Sequence, residues 1–423
     1  MKTIEEARRL LQSEEFMHIA AVLGGGEDLA EAYRNRLLCA IDSFVQLYGS
    51  GRGIAIFSAP GRTELGGNHT DHQHGHVLAA SINLDVIAVV ARREDTTIRV
   101  HSEGFPEDEI SLEELEPVTD KKPTAAELIR GIAARFKQYG CSLETGFDAY
   151  TTSQVMAGSG LSSSAAFEVL LGNICNALYA KNRFTPVELA QMGQYAENVY
   201  FQKPCGLMDQ MASSVGGAVA IDFANPMLPA VHPVAFDFSR TGYVLCIVDT
   251  GGNHADLTAE YAAIPAEMQE VAKYFGKDVL AEVPSAQVLR SIPELRKAFG
   301  DRAVLRAMHF YREDGHRANL MHWIGAISRR SCTWYRTPDS LPIACCKTST
   351  RPPHRKTSPS PLPLQSARQC WAAGEQSVYT AAVSAEQYRH LCRLCCCPSF
   401  RRVWNPFWER AAATCCEFVP LAA

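Results

Sequence analysis

Between Met156 and Ala166 the chain reads Met-Ala-Gly-Ser-Gly-Leu-Ser-Ser-Ser-Ala-Ala, and an apolar run at helical spacing follows at once (Phe167, Leu170, Leu171, Ile174 and Leu178). Such a stretch admits little besides a tight loop opening into a buried helix. Glycine lets the backbone turn sharply and approach a ligand with no Cβ in the way. Serines at a helix start cap its free N–H groups, and that end of the helix carries partial positive charge. Together they make a seat for phosphate. The loop fits neither common template: no Lys follows the second glycine, and Ser163 stands where GxGxxG requires its third glycine.

The rest of the chain sets the frame for that loop. At 423 residues it is long enough for two domains with their own cores. A net charge of −5 gives no reason to expect nucleic acid or an acidic membrane surface as a partner. Met1 to Phe16 mixes Lys, Glu and Arg with Leu and Ile, so it predicts an amphipathic helix rather than a signal peptide. The apolar stretch Val77 to Ala91 is broken by Asn83 and Asp85 and cannot span a bilayer. A cytoplasmic, monomeric protein is the expectation.

Periodicity predicts helices over residues 1–50, with Leu10, Leu11, Ile19, Leu37, Leu38, Ile41 and Leu47 facing a core. A strand at Gly53 to Phe57 enters a turn at Ser58 to Gly61. Val77 to Arg93 and Ile98 to His101, rich in Val and Ile, predict a β-meander. Helices are expected at Thr124 to Gly140, after the Gly/Ser loop, at Pro186 to Phe201 behind a Thr185 cap, and at Gly206 to Ser214. Strands are expected at Phe147 to Thr152, Ala218 to Phe223 and Tyr243 to Asp249, the last opening a second, helix-rich unit up to Arg312.

Two further segments carry polar chemistry. Arg62-Thr-Glu-Leu-Gly-Gly-Asn-His-Thr-Asp-His-Gln-His-Gly-His76 supports three readings. A metal site would use His69, Asp71, His72, His74 and His76, although alternating residues of an extended chain point to opposite faces. A solvated His-rich turn is the plain reading. A sugar-binding loop, with short polar side chains and backbone amides on hydroxyls, is the third. Cys205-Gly-Leu-Met-Asp-Gln210 places one carboxylate, Asp209, before a helix, where a cap or solvated residue is the default. Arg62 is a candidate partner that would keep Asp209 ionised. Glu197 reads by default as a surface residue, yet with a loop serine it supplies the hard oxygens that Mg²⁺ needs.

In this order, the segments resemble the galactokinase branch of the GHMP small-molecule kinases. Ala59-Pro-Gly-Arg-Thr-Glu-Leu-Gly-Gly-Asn-His-Thr-Asp71 is similar to the galactokinase signature, and Gly158 to Ala166 to the ATP-binding motif. Cys205 to Gln210 resembles the segment with the catalytic aspartate, and Asp249 to Tyr261 the segment whose tyrosine lines the sugar pocket. The resemblance runs from about residue 20 to 316. It implies an α+β, two-domain fold: an N-terminal unit like domain 2 of ribosomal protein S5, and a ferredoxin-like C-terminal unit. It implies Asp209 and Arg62 as the catalytic pair, with Asp209 taking the proton from the C1 hydroxyl of galactose. It implies Asn68, His69, Asp71, Gly206 and Tyr261 on the sugar. Gly158, Ser159, Gly160, Leu161, Ser162, Ser163 and Ser164 would hold ATP, with Ser164 and Glu197 on Mg²⁺. Asn68 stands where the family usually has Glu, Glu64 where it has Asn, and His72 where it has Tyr. Another GHMP kinase acting on a related sugar is the near alternative, and a relative that binds sugar as a sensor without turnover is the alternative from another class. Retention of both Arg62 and Asp209 favours the enzyme.

The last hundred residues differ in character. Five of the fifteen cysteines precede residue 332 and ten follow from there, while all five tryptophans lie at or after Trp323. The family's glycine-rich third motif is absent. Taking the third base of each codon with the first two of the next, from Ser377 to Tyr388, the genetic code permits RVHGGGFGGTI, the missing motif. The same shift over Ser340 to Arg351 permits LAYRLLQNIYT. The expectation is a frameshift near residues 315–322, and four segments: 1–50 helical, 51–228 ATP- and sugar-binding, 229–316 the start of the C-terminal domain, and 317–423 an out-of-frame tail. The rival is a Cys-rich zinc appendage on Cys392, Cys395 and Cys397, which lacks a clean second CxxC pair.

Overall fold

The structure is a computed structural model, and it describes residues 1–24, 26–68, 70–118, 122–156, 158, 160–234, 243–248, 258–327 and 379–384. The architecture is α+β, as the sequence leads one to expect. Three helices come first: α1 (Ile4–Leu11), α2 (Glu14–Gly24) and α3 (Glu27–Tyr48). Then come β1 (Ala55–Gly66), β2 (His76–Arg92), β3 (Thr97–Ser102) and β4 (Asp108–Ser111). Helix α4 (Ala125–Gln138), β5 (Phe147–Ser153), α5 (Ser163–Tyr179), α6 (Pro186–Tyr195) and α7 (Met208–Val215) follow. Strands β6 (Ala218–Asp222) and β7 (Ala230–Val234) complete the seven-stranded sheet.

Strand β2 is its spine. It pairs antiparallel with β1 from Leu78 to Val90, with β5 from Val86 to Arg92, and with β6 from His76 to Ala80. Side chains alternate across a strand, and here both faces are covered. Val86, Ala88 and Val90 pack under α4 and α5, while Ile87, Val89 and Ala91 pack under α1 to α3. Burial on both faces explains why β2 is a near-continuous apolar run rather than an alternating one. It also corrects the expected meander. Val77 to Arg93 is essentially one long strand, and β3 pairs with β4 and β5, not with β2.

Along one edge of β2, β5 and β6 leave a gap between Ser81 and Asp85. The Gly/Ser loop leaves β5 at that gap. Asp85, one of the two residues that break the apolar run, accepts hydrogen bonds there from Tyr33 Oη (2.7 Å), Ser58 Oγ (2.5 Å) and Arg36. Arg36 reaches on to the Thr152 carbonyl (3.2 Å) and Gln154 Oε1 (3.0 Å). A buried carboxylate thus ties α3 to the start of the loop.

Three more expectations are corrected. Ser58 to Gly61 is not a turn, because β1 continues through it to Gly66, with register shifts at Pro60/Arg62 and Glu64/Gly66. Leu10, Ile19 and Leu47 are exposed, whereas Leu11, Leu37 and Ile41 are buried. Helix α6 begins with a Thr185–Glu188 capping box and Pro186 in its first turn, but it widens at Ala196–Tyr200 into a single π-helical turn.

The second unit holds β8 (Tyr243–Val248), α8 (Thr258–Tyr274), α9 (Ser285–Arg290), α10 (Ile292–Ile327) and β9 (Tyr379–Ser384). Helix α10 bends at Gly300, whose φ of 82° no helix interior accommodates. Strand β9 pairs antiparallel with β8. Its six residues are those whose shifted codons permit His-Gly-Gly-Gly-Phe-Gly. The expected ferredoxin-like arrangement falls largely outside the described residues, as do Cys392, Cys395 and Cys397. Helices α8 to α10 share a core built on Met268, Val271, Leu295 and Phe310. No helix among the described residues is long and apolar enough to cross a membrane.

Candidate active site

Arg62 lies in β1, opposite Ser81 of β2, just past the first register shift. Its guanidinium grips Asp209 with two bonds, Nε to Oδ1 at 2.7 Å and Nη2 to Oδ2 at 2.6 Å. The third nitrogen, Nη1, donates to the Gly160 carbonyl of the Gly/Ser loop at 2.5 Å. Such a fork fixes a carboxylate in direction as well as place. Burial alone would lower the Arg62 pKa, but Asp209 outweighs it, with Glu64 and Asp71 adding to the effect, and the guanidinium stays charged. Asp209 opens α7 and keeps 31% of its side chain exposed, enough for a ligand to reach it.

The loop closes over this pair through its backbone. Gly158 and Gly160 take φ of 74° and 76°. At Gly61 a Cβ would lie 3.1 Å from Val155 and 3.2 Å from the Leu161 carbonyl, so loop and strand approach more closely than most side chains are packed. Ser162 precedes α5 in the left-handed region (φ 58°, ψ 61°) and makes no side-chain cap. The capping role expected of it is replaced by another: its hydroxyl donates to Asp209 Oδ2. Left-handed non-glycine residues bonded to charged side chains are concentrated at functional sites.

Ser164 points elsewhere, its Oγ donating to Glu197 Oε1 at 3.2 Å. Glu197 is 2% exposed, so the surface position expected by default is wrong. The π turn rotates it inward, where Lys203 Nζ (2.6 Å, to Oε1) and Gln210 Nε2 (2.9 Å, to Oε2) both donate to it. The same Gln210 nitrogen donates to Glu168 Oε2 at 2.9 Å. Burial first, and the neighbouring Glu197 charge second, push the Glu168 carboxyl well above the usual carboxylate range. Buried Glu168 Oε1 and Gln210 Oε1 have no hydrogen-bond partner. Burial lowers and Glu197 raises the Lys203 pKa; the net direction is up, leaving the ammonium charged.

The polar segment after β1 folds into a compact loop. Thr70, fully buried, donates to the carbonyls of Gly67 and His76, both at 2.7 Å. Gly67 is obligatory, since a Cβ there would sit 2.3 Å from the His76 carbonyl. Asn68 is buried with its Oδ1 unpartnered. Asp71 lies against Gly206, where a Cβ would fall 1.8 Å from Asp71 Oδ2. So Arg62, Asp71, Ser162, Gly206 and Asp209 come together, as do Ser164 and Glu197. His69 and Ser159 lie outside the described residues. Tyr261 falls in α8, and its side chain lies outside them too. The metal reading of the His-rich segment is not supported: among the described residues no group of three or more His, Cys, Asp or Glu is placed to hold an ion.

Sequence reasoning missed Glu168, Gln210 and Lys203. Glu168 follows Ser164 by one helical turn and could have been found by that spacing; Gln210 and Lys203 carried no signal beyond proximity to Asp209. It also missed the second unit's grip on the loop. His309 Nε2 lies 2.9 Å from the Asn68 carbonyl, and the Leu280 amide donates to Gln73 Oε1 at 3.0 Å. Asp314 Oδ1 accepts from the His76 amide (2.7 Å) and lies 2.9 Å from His76 Nδ1.

Comparison with known proteins follows the same segments. Residues 42–92 match the family model for the galactokinase galactose-binding signature, and residues 127–217 the model for the GHMP kinase N-terminal domain. A galactokinase of Streptomyces coelicolor is 35% identical over 277 residues, covering 64% of this chain and 69% of the relative. One of Enterococcus faecalis is 31% identical over 281 residues, covering 65% and 70%. Among solved structures, Lactococcus lactis galactokinase complexed with galactose superposes with a TM-score of 0.60 at 27% identity, covering 69% of this chain and 75% of that one.

Proposed function

The chain belongs to the galactokinase family of GHMP kinases, and from that premise we propose how its residues divide the work of phosphorylating galactose. The observation that carries the reading is the forked Arg62–Asp209 pair, which joins two motifs 147 residues apart beside the Gly/Ser loop. Asp209 takes the proton of the C1 hydroxyl as that oxygen bonds to the γ-phosphorus of ATP. The bond from that phosphorus to the β–γ bridging oxygen breaks, and ADP departs. Arg62 orients Asp209 and faces the charge that spreads over the transferring oxygens. Phosphoryl transfer needs mostly positioning and electrostatic stabilisation, which fixed donors supply without reorganising.

Asn68, His69, Asp71, Gly206 and Tyr261 hold the sugar in this reading. The unpartnered Asn68 Oδ1 supports it, since a buried acceptor is costly until a hydroxyl meets it. Gly158 to Ser164 cradle the phosphates. The Ser164 hydroxyl and the Glu197 carboxylate, 3.2 Å apart, are the hard oxygens a Mg²⁺ ion prefers, so the donor set fits that ion. Bound there, Mg²⁺ would neutralise phosphate charge. The setting we propose is a cytoplasmic monomer.

We also propose that residues 317–423 are translated out of frame and that the chain as it stands has weak or no turnover. ATP consumption with galactose, on this chain and on a frame-restored form, tests both statements. Asp209→Ala in the restored form should bind galactose and lose turnover; unchanged turnover would overturn the mechanism. An uninterrupted frame in genomic DNA would overturn the slip.

A further inference from the structure

Lys203 has no place in the division of work just given, yet it sits at the centre of the nucleotide side. Its backbone amide donates to the Glu197 carbonyl at 3.1 Å and its ammonium to Glu197 Oε1 at 2.6 Å. The residue before it, Gln202, holds a left-handed backbone (φ 57°), which turns the chain back over the π turn. Glu197 is buried, and a buried carboxylate needs a counter-charge. Lys203 provides it from a side chain that is 49% exposed and carried on a flexible four-carbon stem. The oxygen it occupies is the one that Ser164 Oγ also reaches. An ammonium therefore stands where the divalent cation would be held.

A triphosphate entering the loop brings several negative charges. The loop lacks the lysine of a Walker A motif, and all three Arg62 nitrogens are engaged, two on Asp209 and one on Gly160. Lys203, on its half-exposed stem, is a cation that can turn to the phosphates without breaking the Arg62–Asp209 pair. We propose that Lys203 is an exchangeable nucleotide-facing cation: its ammonium neutralises Glu197 in the empty site and passes to the phosphate chain when a divalent cation takes over Glu197. Its place beside Glu197 gives Lys203 a role in binding nucleotide and in setting the metal requirement, with none in holding the sugar. The inference rests on the assignment of Ser164 and Glu197 as cation ligands.

The test uses the full chain with Lys203→Met and Lys203→Arg, and Glu197→Gln as the control on the underlying assignment. Calorimetry with ATP and Mg²⁺ should show about tenfold weaker nucleotide binding in Lys203→Met, the size of one charged hydrogen bond, and near-normal binding in Lys203→Arg. Galactose affinity should be unchanged in both, which also shows that the variants fold. Without nucleotide, Mn²⁺ binding followed by electron paramagnetic resonance should tighten about tenfold in Lys203→Met, because no ammonium competes for Glu197. Unaltered ATP affinity in Lys203→Met, or Mn²⁺ binding that is unaltered or weaker, overturns the exchange. Glu197→Gln should lose Mn²⁺ binding; if it does not, the ligand assignment falls and the exchange with it.

Discussion

Two ion pairs face each other across this site, and they are built differently. Arg62 and Asp209 meet through a planar fork with two bonds, while Lys203 meets Glu197 through a single ammonium. The fork also bonds the loop at Gly160, and its carboxylate takes a further bond from Ser162. A guanidinium held this way has nowhere else to go. The ammonium sits on a half-exposed stem beside unpartnered Glu168 Oε1 and Gln210 Oε1, so its surroundings are incompletely satisfied. The difference teaches which charge is part of the scaffold and which can be traded. In the proposed mechanism the fixed pair serves proton transfer, and the exchangeable one serves the metal nucleotide.

The sharpest way to break the contrast is to turn the fork into a point. Arg62→Lys in the frame-restored form keeps the charge but loses the bidentate geometry and the bond to Gly160. The expected outcome is a fall in kcat of about 10²- to 10³-fold, the cost of removing one preorganised donor, with galactose affinity changed little. Steady-state kinetics with direct galactose binding checks it, and a loss below about threefold would show that charge alone suffices.

The segment from Lys203 to Asp209 joins the two pairs, and Gly206 lies in its middle against Asp71. Gly206→Ala would place a Cβ 1.8 Å from Asp71 Oδ2, so the segment or the sugar loop must shift. A 1 Å displacement near reacting groups costs about 10²-fold at its worst. Here the expected effect is about a 30-fold rise in KM for galactose, with a smaller change for ATP. An ATP effect equal to the galactose effect would mean that the segment moves as one body. Ser162→Ala is milder. It removes one of the donors to Asp209 and leaves a left-handed alanine, so kcat should fall about tenfold while MgATP binding stays within about threefold. A larger loss of nucleotide affinity than of kcat would return Ser162 to a purely phosphate-binding role.

The fixed pair was legible in the sequence and the tradeable one was not. Arg62 and Asp209 each lie in a distinct motif, and a lone Arg and a lone Asp suggest each other. Glu197 was found, but its burial was not, because a π turn inserts one extra residue per turn and no helical periodicity announces it. Lys203 follows in an irregular segment where spacing says nothing about direction. The sheet shows the same divide. Strand β2 was readable as β-structure from its Val and Ile content, but not as one strand, because burial on both faces erases the alternation that would separate hairpin from spine. The capping boxes at Thr3 and Thr185 depend only on residues three apart, and Thr185 was legible as a cap from its place just before Pro186. The contacts of His309 and Asp314 with the sugar loop join residues more than 230 positions apart, for which sequence spacing offers no signal.

Those contacts give the smallest effect, and one that depends on pH. His76 in β2 faces Asp314 of α10 at 2.9 Å and Asp222 of β6 at 3.6 Å. The hydrogen bond to Asp314 is the main cause that raises its pKa above the ordinary 6.5, against the opposing effect of burial. A group whose pKa is higher in the folded state than in the unfolded state stabilises the fold fully below the unfolded value. That contribution is lost as the pH rises through the folded value. The grip of α10 on the sugar loop should therefore weaken as the pH rises from the ordinary 6.5 through the raised value of the folded state. His76→Gln keeps the backbone bond to Asp314 but cannot titrate. The wild-type melting temperature should fall over that interval by more than the variant's, and galactose should bind more weakly over it in the wild type alone. Parallel melting curves for the two proteins would show that the imidazole is uncharged in the fold, and that α10 is held on the sugar loop by the His309 and Leu280 bonds and the His76 amide instead.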